Sequence, residues 1–317
     1  MEYHEPDRTW SIWCQTYESY VETFVVKGRF HSNVPEDIVK SYKVAEYIMA
    51  HAYYFYPMYD EAMIRLTGIF EMAIKKRCIA LNIPLKELTD KGILKEKTLS
   101  KLIKDVTKKE RGKQMHFQLN WARNIRNLLA HPKDYGFSGG NIHSAIQEIV
   151  NIINLLFIPE NLLISFFNER KRMAALLKLF SKGLWVLTYK SNRYLVAGRE
   201  VVSAIRIDNK WKYLVVLMPV YHNFSNALVE HKYLEAFRLL ITDVKIGKNS
   251  FTATDARDGL LIMIEKSHKD KDLETYRKHL DSWQKATKEN QVIYLNSNQV
   301  DTDRKESVMQ YEWLYKT

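Results

Sequence analysis

Apolar residues recur at three- and four-residue spacing through the first half of the chain, and at alternate positions through much of the second. The first period marks helices with one buried face, the second marks half-buried strands. Trp10 to Val26 is aromatic and helix-compatible. Asn33-Val34-Pro35-Glu36-Asp37 reads as a helix start, with Asn33 or Ser32 as cap, Pro35 in the first turn and two acids on the dipole. That helix continues through Ile38, Tyr42, Ala45 and Met49 until Tyr53-Tyr54-Phe55-Tyr56-Pro57 breaks it. Tyr59 to Asn82 is the clearest helix, with Ala62, Leu66, Phe70, Ala73, Ile74 and Cys78 on one face and Asn82 and Pro84 at its end. Three more follow: Thr98 to Val106 with Leu99, Leu102, Ile103 and Val106 inward, Met115 to Ala130, and Ser144 to Phe157. Pro159-Glu160-Asn161 is a joint before a basic helix, Leu162 to Phe180.

After Gly183 the period changes to two. Leu184 to Tyr189, Tyr194 to Val202, Ala204 to Ile207 and Trp211 to Val220 read as strands, separated by Lys190-Ser191-Asn192 and Asp208-Asn209-Lys210 turns. A helix (Asn226 to Leu240), a strand (Gly259 to Glu265), a charged helix (Lys269 to Lys285) and a strand (Gln291 to Leu295) complete the pattern. The expected class is α+β: an all-α module over residues 1–160, then an α+β module with a smaller sheet over 161–317.

Composition narrows the picture. The 317 residues suit about two domains, and 46% hydrophobic content excludes disorder and low-complexity classes. Two cysteines, Cys14 and Cys78, cannot build a disulfide framework or a four-thiolate zinc site. The N-terminus lacks the order of a signal peptide, and the longest apolar stretch, Tyr213 to Tyr221, is too short for a membrane span. A soluble, cytoplasmic protein is expected. The net charge of +11 divides unevenly, with 22 Lys+Arg against 19 Asp+Glu up to residue 160 and 26 against 18 after it. A basic excess favours polyanions, most simply nucleic acid. Lys86 to Lys113 holds 10 basic and 5 acidic residues; its Lys101, Lys104, Lys108 and Lys109, with Arg170-Lys171-Arg172, are candidate RNA contacts. The competing reading for both runs is a solvated surface.

Familiar signatures are missing: no phosphate-binding Gly-rich loop, no CxxC, no HExxH. Gly136-Phe137-Ser138-Gly139-Gly140 fits G-x-S-x-G, but a helix end and polar loop precede it where a nucleophile elbow needs a strand. His222, His231, His268 and His279 lack metal-ligand spacing. No metal or cofactor is expected. The informative segment is Trp121-Ala122-Arg123-Asn124-Ile125-Arg126-Asn127-Leu128-Leu129-Ala130-His131-Pro132. Phe117, Trp121, Ile125, Leu128 and Leu129 are assigned to the core face. Asn120, Arg123 or Asn124, Asn127 and His131 form a polar stripe without lysine or glutamate. Arginine offers a permanent planar charge for phosphate, and histidine titrates near neutrality. Together they suffice to cleave RNA without metal: histidine moves a proton at the 2′-hydroxyl or the 5′-oxygen, and arginine stabilises charge on phosphorus.

Arg126-Asn127-Leu128-Leu129-Ala130-His131 resembles the R-N-x-x-x-H signature of the HEPN superfamily. Tyr59-Asp60-Glu61-Ala62 through Glu71 to Lys75, Thr98 to Ile103, and the helix ending Ile153-Asn154-Leu155-Leu156-Phe157 resemble its other helices, so the likeness spans about residues 36–160. It implies a helical bundle, dimerised so that two Arg/His pairs share a cleft. Many members are metal-independent endoribonucleases of toxin and antiphage systems; others are inactive scaffolds or nucleotide binders. Carried over by motif, Arg126 and His131 are catalytic, Asn127 assists, and Glu71 and Arg123 support. RNA is the implied substrate, with a homodimer through the first module and an unidentified neutralising or activating partner. One subclass carries an AMP-accepting tyrosine two residues after the histidine; Lys133 stands there, and Tyr135 lies four away. Five residues turn Arg126 and His131 about 140° apart on an ideal helix, while Pro132 disfavours helical geometry at His131. The competing expectation is that His131 caps the helix and Arg126 makes an ion pair with Glu71.

Overall fold

The structure, a computed structural model, describes residues 4–109, 113–130, 141–178 and 183–314. It is α+β, a helical region followed by a barrel. Two compact units form: Met1–Glu160 together with Gln310–Thr317, and Asn161–Met309. The chain end thus rejoins the first unit, a return that the expected span 161–317 did not include.

In the first unit, a 3-10 turn (Arg8–Ile12) and α1 (Tyr17–Phe24) precede α2 (Glu36–His51) and α3 (Met58–Ala80). Trp10 organises the opening segment. Its ring packs edge-on to Tyr20 and tilted against Phe24, and its Nε1 donates to the Ala52 carbonyl at 2.7 Å. Buried phenols are satisfied in the same way: Tyr20 donates to Met49, Tyr42 to Val26 and Tyr59 to Phe24. Gly28 passes so close to Tyr42 that a Cβ would lie 2.6 Å from its Cδ1. Neither Asn33 nor Ser32 caps α2. Pro35 holds the N-cap position without a side-chain bond, and Asp37 instead meets the Ile38 amide and Lys76. Leu81 and Asn82, the latter at φ 53°, end α3.

The lysine-rich run is not wholly loop. It contains a hairpin of β1 (Lys86–Leu88) and β2 (Leu94–Glu96), so the unit is not purely helical. α4 (Leu99–Lys109) follows and buries Leu102, Ile103 and Val106. α5 (Lys113–Ala130) and α6 (Asn141–Phe157) complete the bundle. Buried Asn154 on α6 accepts from the His31 amide and donates to the Arg29 carbonyl, tying the chain before α2 to the core. The segment Gln310–Leu314 returns here: Tyr311 donates to the Lys27 carbonyl, and Arg29 lies 4.8 Å over its ring.

In the second unit, α7 (Glu160–Lys178) leads into β3 (Trp185–Tyr189), β4 (Asn192–Ile207) and β5 (Lys210–Pro219). After α8 (Phe224–Glu230) come β6 (Phe237–Ile246), β7 (Ser250–Asp255) and β8 (Leu261–Lys266). All neighbours are antiparallel, and β3 pairs with β8 to close a six-stranded barrel. Lys190-Ser191 and Asp208-Asn209 are two-residue turns with positive φ at both positions, the geometry that matches strand twist. β4 fuses two predicted strands across bulges flanking Gly198, at φ 66°, and Val202. Trp185, Leu187, Val215, Leu217, Ile241 and Phe251 fill the interior with Met173 and Leu177 from α7. β5 is buried on both faces, which explains its unbroken apolar run.

Two predicted elements change type. Phe237–Ile246 is strand where a helix to Leu240 was expected, because α8 ends at His231 in the left-handed region and Phe237 to Ile241 pair with Leu217 to Tyr213. Gln291–Leu295 is helix, part of α10 (Lys288–Met309) after α9 (Asp270–Lys285). Tyr294, Thr302 and Met309 fix α10 by burying one side along its length. Among the described residues no single helix is long and apolar enough to cross a membrane.

Candidate active site on the fifth helix

Met115, Leu119 and Ala122 set the phase of α5 by burying against the bundle, with Trp121, Ile125 and Leu129 half-buried beside them. Phe117 and Leu128, assigned by spacing to the core face, are 76% and 65% exposed. The physical reason is angular. Phe117 lies roughly 200° around the helix from Leu119, and Leu128 roughly 120° from Ala122, so neither can share that face. Two large apolar side chains therefore stand in solvent on the motif helix.

Arg126 projects toward α3. Its NH2 group donates to Glu71 Oε2 at 3.2 Å and its NH1 group to Asn127 Oδ1 at 3.4 Å. The other Glu71 oxygen meets Lys75 Nζ at 3.0 Å. The guanidinium side chain keeps 36% of its surface exposed and Glu71 27%. So Arg126, Asn127 and Glu71 come together, with the Arg126–Glu71 ion pair that the competing expectation named. Arg123 does not join them: it donates to Ser100 Oγ on α4 at 2.6 Å and to Asn124 Oδ1, with its Nε buried and unbonded. An open cavity of about 360 Å³ lies beside Glu71, lined by Gly68, Met72, Lys75, Lys76 and Ile79 of α3. His131, Lys133, Tyr135 and the Gly136–Gly140 segment lie outside the described residues.

The polar stripe extends further back than residue 120. Asn120 Nδ2 meets His116 Nε2 at 2.9 Å, and His116 Nδ1 lies 3.3 Å from Thr107 Oγ1. If the amide donates to Nε2, the ring proton sits on Nδ1 and points at Thr107. The spacing of four from Asn120 was the signal for this second imidazole.

The candidate RNA contacts divide into engaged and open groups. Lys101 pairs with Glu87 at 2.6 Å, and Lys109 bonds the Leu81 carbonyl at the end of α3. Arg170 donates to Val201 on the barrel, and Arg172 grips Glu169 of its own helix with two bonds, so neither arginine stands free. The Arg172 bond holds the Glu169 carboxyl below its usual range, against the opposing effect of burial, with Tyr213 adding a further bond. Lys104, Lys108 and Lys171 are exposed and have no acidic partner among the described residues. Among those residues no group of three or more His, Cys, Asp or Glu is arranged to hold a metal ion. No protein-family model, curated protein or solved structure matches the chain.

Proposed function

We propose that the chain is a HEPN-type endoribonuclease that cleaves RNA without metal, in a toxin or antiphage-defence setting, as a homodimer through its first unit. The observation that carries this reading is the state of Arg126. Glu71 and Asn127 hold its guanidinium by two separate bonds, yet over a third of the side chain remains in solvent, five residues before His131. A fixed, open guanidinium suits the charge that develops on a phosphate under attack. In this mechanism His131 takes the proton of a ribose 2′-hydroxyl or gives one to the leaving 5′-oxygen. Each chain brings one such histidine, so a two-fold partner supplies the complementary acid or base. Exposed Phe117 and Leu128 give that partner an apolar surface to cover.

A second reading has an observation of its own. The Arg126–Glu71 ion pair is the contact expected if the motif only secures a helix end, which would make the protein a non-catalytic scaffold or nucleic-acid-binding subunit. Incubation of the pure protein with total RNA in EDTA separates the two. The enzyme yields 2′,3′-cyclic phosphate or monophosphate ends and 5′-hydroxyl ends, and loses activity in His131→Ala. Absence of cleavage by a dimeric, folded protein, or 5′-phosphate products, rejects the proposed reaction.

A further inference from the structure

The second unit holds a basic cavity that the ribonuclease reading does not use. It measures about 380 Å³ and is lined by Ala236 and Arg238 of β6 and the residues before it, Arg257 after β7, and Asp301, Arg304, Lys305 and Val308 of α10, with Glu235 at the rim. That volume falls among small-ligand clefts, roughly 300–1,000 Å³, but the lining is charged where such clefts are usually apolar. Four cations face two carboxylates.

Three features distinguish this cavity from a chance basic surface. First, Arg238 is a buried cation, its side chain only 9% exposed. Its bonds run to Thr302 Oγ1 at 3.3 Å, to the Ala236 and Asn298 carbonyls at 3.2 Å, and only at 3.5 Å to Asp301. Three neutral oxygens and Asp301 fix the guanidinium in place, so it contributes a held positive charge to the cavity wall, with one NH1 proton left uncommitted. Second, the α10 residues 301, 304, 305 and 308 are spaced three, four and seven apart, which puts them on one helix face. Among the described residues neither Arg304 nor Lys305 has an acidic partner. Third, Arg257 is brought to the same place by strand pairing: the Ala256 amide bonds the Leu240 carbonyl, and Asp255 holds the Arg257 guanidinium by Nε and NH2. The free Arg304 fork and the NH1 side of Arg257 match phosphoryl oxygens, and a lone carboxylate could not engage these and Lys305 together.

We propose that this cavity is a binding site for a phosphoryl-rich anion, a di- or triphosphate group, carried either by a free nucleotide or by the 5′ end of an RNA. Arg238 supplies a held positive charge and Arg257 the NH1 side that Asp255 leaves open, while Arg304 and Lys305 close on the ligand from α10. Val308 and Ala236 leave room for part of an attached group without reading a base.

The test is calorimetric titration of the full chain at constant ionic strength with sodium pyrophosphate, ATP, and paired 5′-triphosphate and 5′-hydroxyl oligonucleotides bearing 2′-deoxy sugars to prevent cleavage. Saturable one-to-one pyrophosphate binding is expected. It should weaken about tenfold or more in the double variant Arg304→Glu, Lys305→Glu, on the scale of lost charge-assisted bonds. Arg304 is exposed and Lys305 half-buried, so circular dichroism matching the wild type is part of the test. Arg304→Gln, at the exposed position alone, should weaken binding with the fold retained. ATP binding alone identifies a free nucleotide; preference for the triphosphate over the hydroxyl oligonucleotide identifies an RNA end. No saturable pyrophosphate binding, equal binding by sulfate, or unchanged affinity in the double variant overturns the site. None of these readouts depends on ribonuclease activity.

Discussion

In the barrel unit, three carboxylates are largely enclosed and saturated. The Asp255 side chain has no exposed surface and accepts from Tyr189 at 2.6 Å and from the Arg257 backbone and guanidinium. Asp272 is gripped by both terminal nitrogens of Arg193 and by Ser267. Glu169 receives Arg172 and Tyr213. In the first unit, Glu71 of α3 and Arg126 of the motif helix meet through one long bond and remain partly in water, while Asn127 is exposed. Closed clusters fasten strand to strand or helix to strand. The open one keeps donors available for something outside the chain, and that contrast separates a structural tie from a candidate site.

The largest effect should come from opening a closed cluster. Asp255→Ala unpairs Arg257 and removes the acceptor of the half-buried Tyr189 hydroxyl, and should cost about 3 kcal/mol, the lower part of the range for breaking a buried ion pair because Arg257 can reach solvent. Urea denaturation monitored by tryptophan fluorescence measures it. A loss below about 1 kcal/mol would remove the distinction between the two kinds of cluster.

Arg126→Ala reverses the balance of effects. The half-exposed ion pair should contribute only about 0–1 kcal/mol of stability, whereas RNA cleavage should fall roughly a hundredfold or more. Glu71→Gln removes the same ion pair and keeps the arginine, so it should retain most activity. Equal activity losses in the two variants would show that the pair, and not the guanidinium, is what matters.

Acid should separate the regions next. His279 stacks on Phe224 at 3.9 Å, and burial pushes its pKa down to about 4, against a smaller opposing bond to the Tyr221 backbone. The unfolded imidazole takes its proton near 6.5, so between those values the unfolded state binds more protons. Stability from this site is complete above pH 6.5 and declines as pH falls toward 4. Arg193 first, then Ser267, hold Asp272 below its usual range against burial. For Asp255 burial is the largest influence and acts upward, but bonds from Tyr189 and Arg257 outweigh it. Their contributions are present above the unfolded carboxylate range and are lost below it, as pH falls through the depressed values. Thermal melts from pH 7 to 4.5 should therefore decline in the wild type and less steeply in His279→Gln, where His31 of the first unit, also lowered by burial, keeps its share. A decline of the same slope in the variant would assign the effect elsewhere.

Much of the first unit was legible because its helices carry long amphipathic runs whose ends are punctuated by Pro57 and Asn82. The first barrel hairpins were legible through Lys190-Ser191 and Asp208-Asn209. The rest of the barrel was not. Glu235 to Leu240 are good helix formers, and only pairing with β5 turns them into a strand. Val292, Ile293 and Tyr294 favour a strand locally but lie in a helix fixed by burial of Tyr294, Thr302 and Met309. Closure of the barrel through β3 and β8, and the return of Tyr311 to the first core, depend on contacts far apart in sequence. The candidate site was legible in composition and misphased in geometry. Arg126, Asn127 and Glu71 converge, but apolar spacing alone could not show that Leu119 and Ala122, not Phe117 and Leu128, face inward.

That misphasing supplies the smallest expected change in stability. Phe117 and Leu128 project into solvent at 76% and 65% exposure, so Phe117→Ser with Leu128→Ser should alter the unfolding free energy of the monomeric fold by about 0.5 kcal/mol or less. If they cover one another's counterparts across a two-fold axis, the same double variant should shift light-scattering mass from dimer to monomer. It should also lower cleavage, since each chain would lose the second histidine. The measurement is most informative at a concentration where the wild type is wholly dimeric, because mass action then isolates the interface from the fold. A double variant that stays dimeric and active would place the two side chains outside the interface. A variant that unfolds would instead show that α5 buries them after all, and that the exposed face of the motif helix is not where a partner docks.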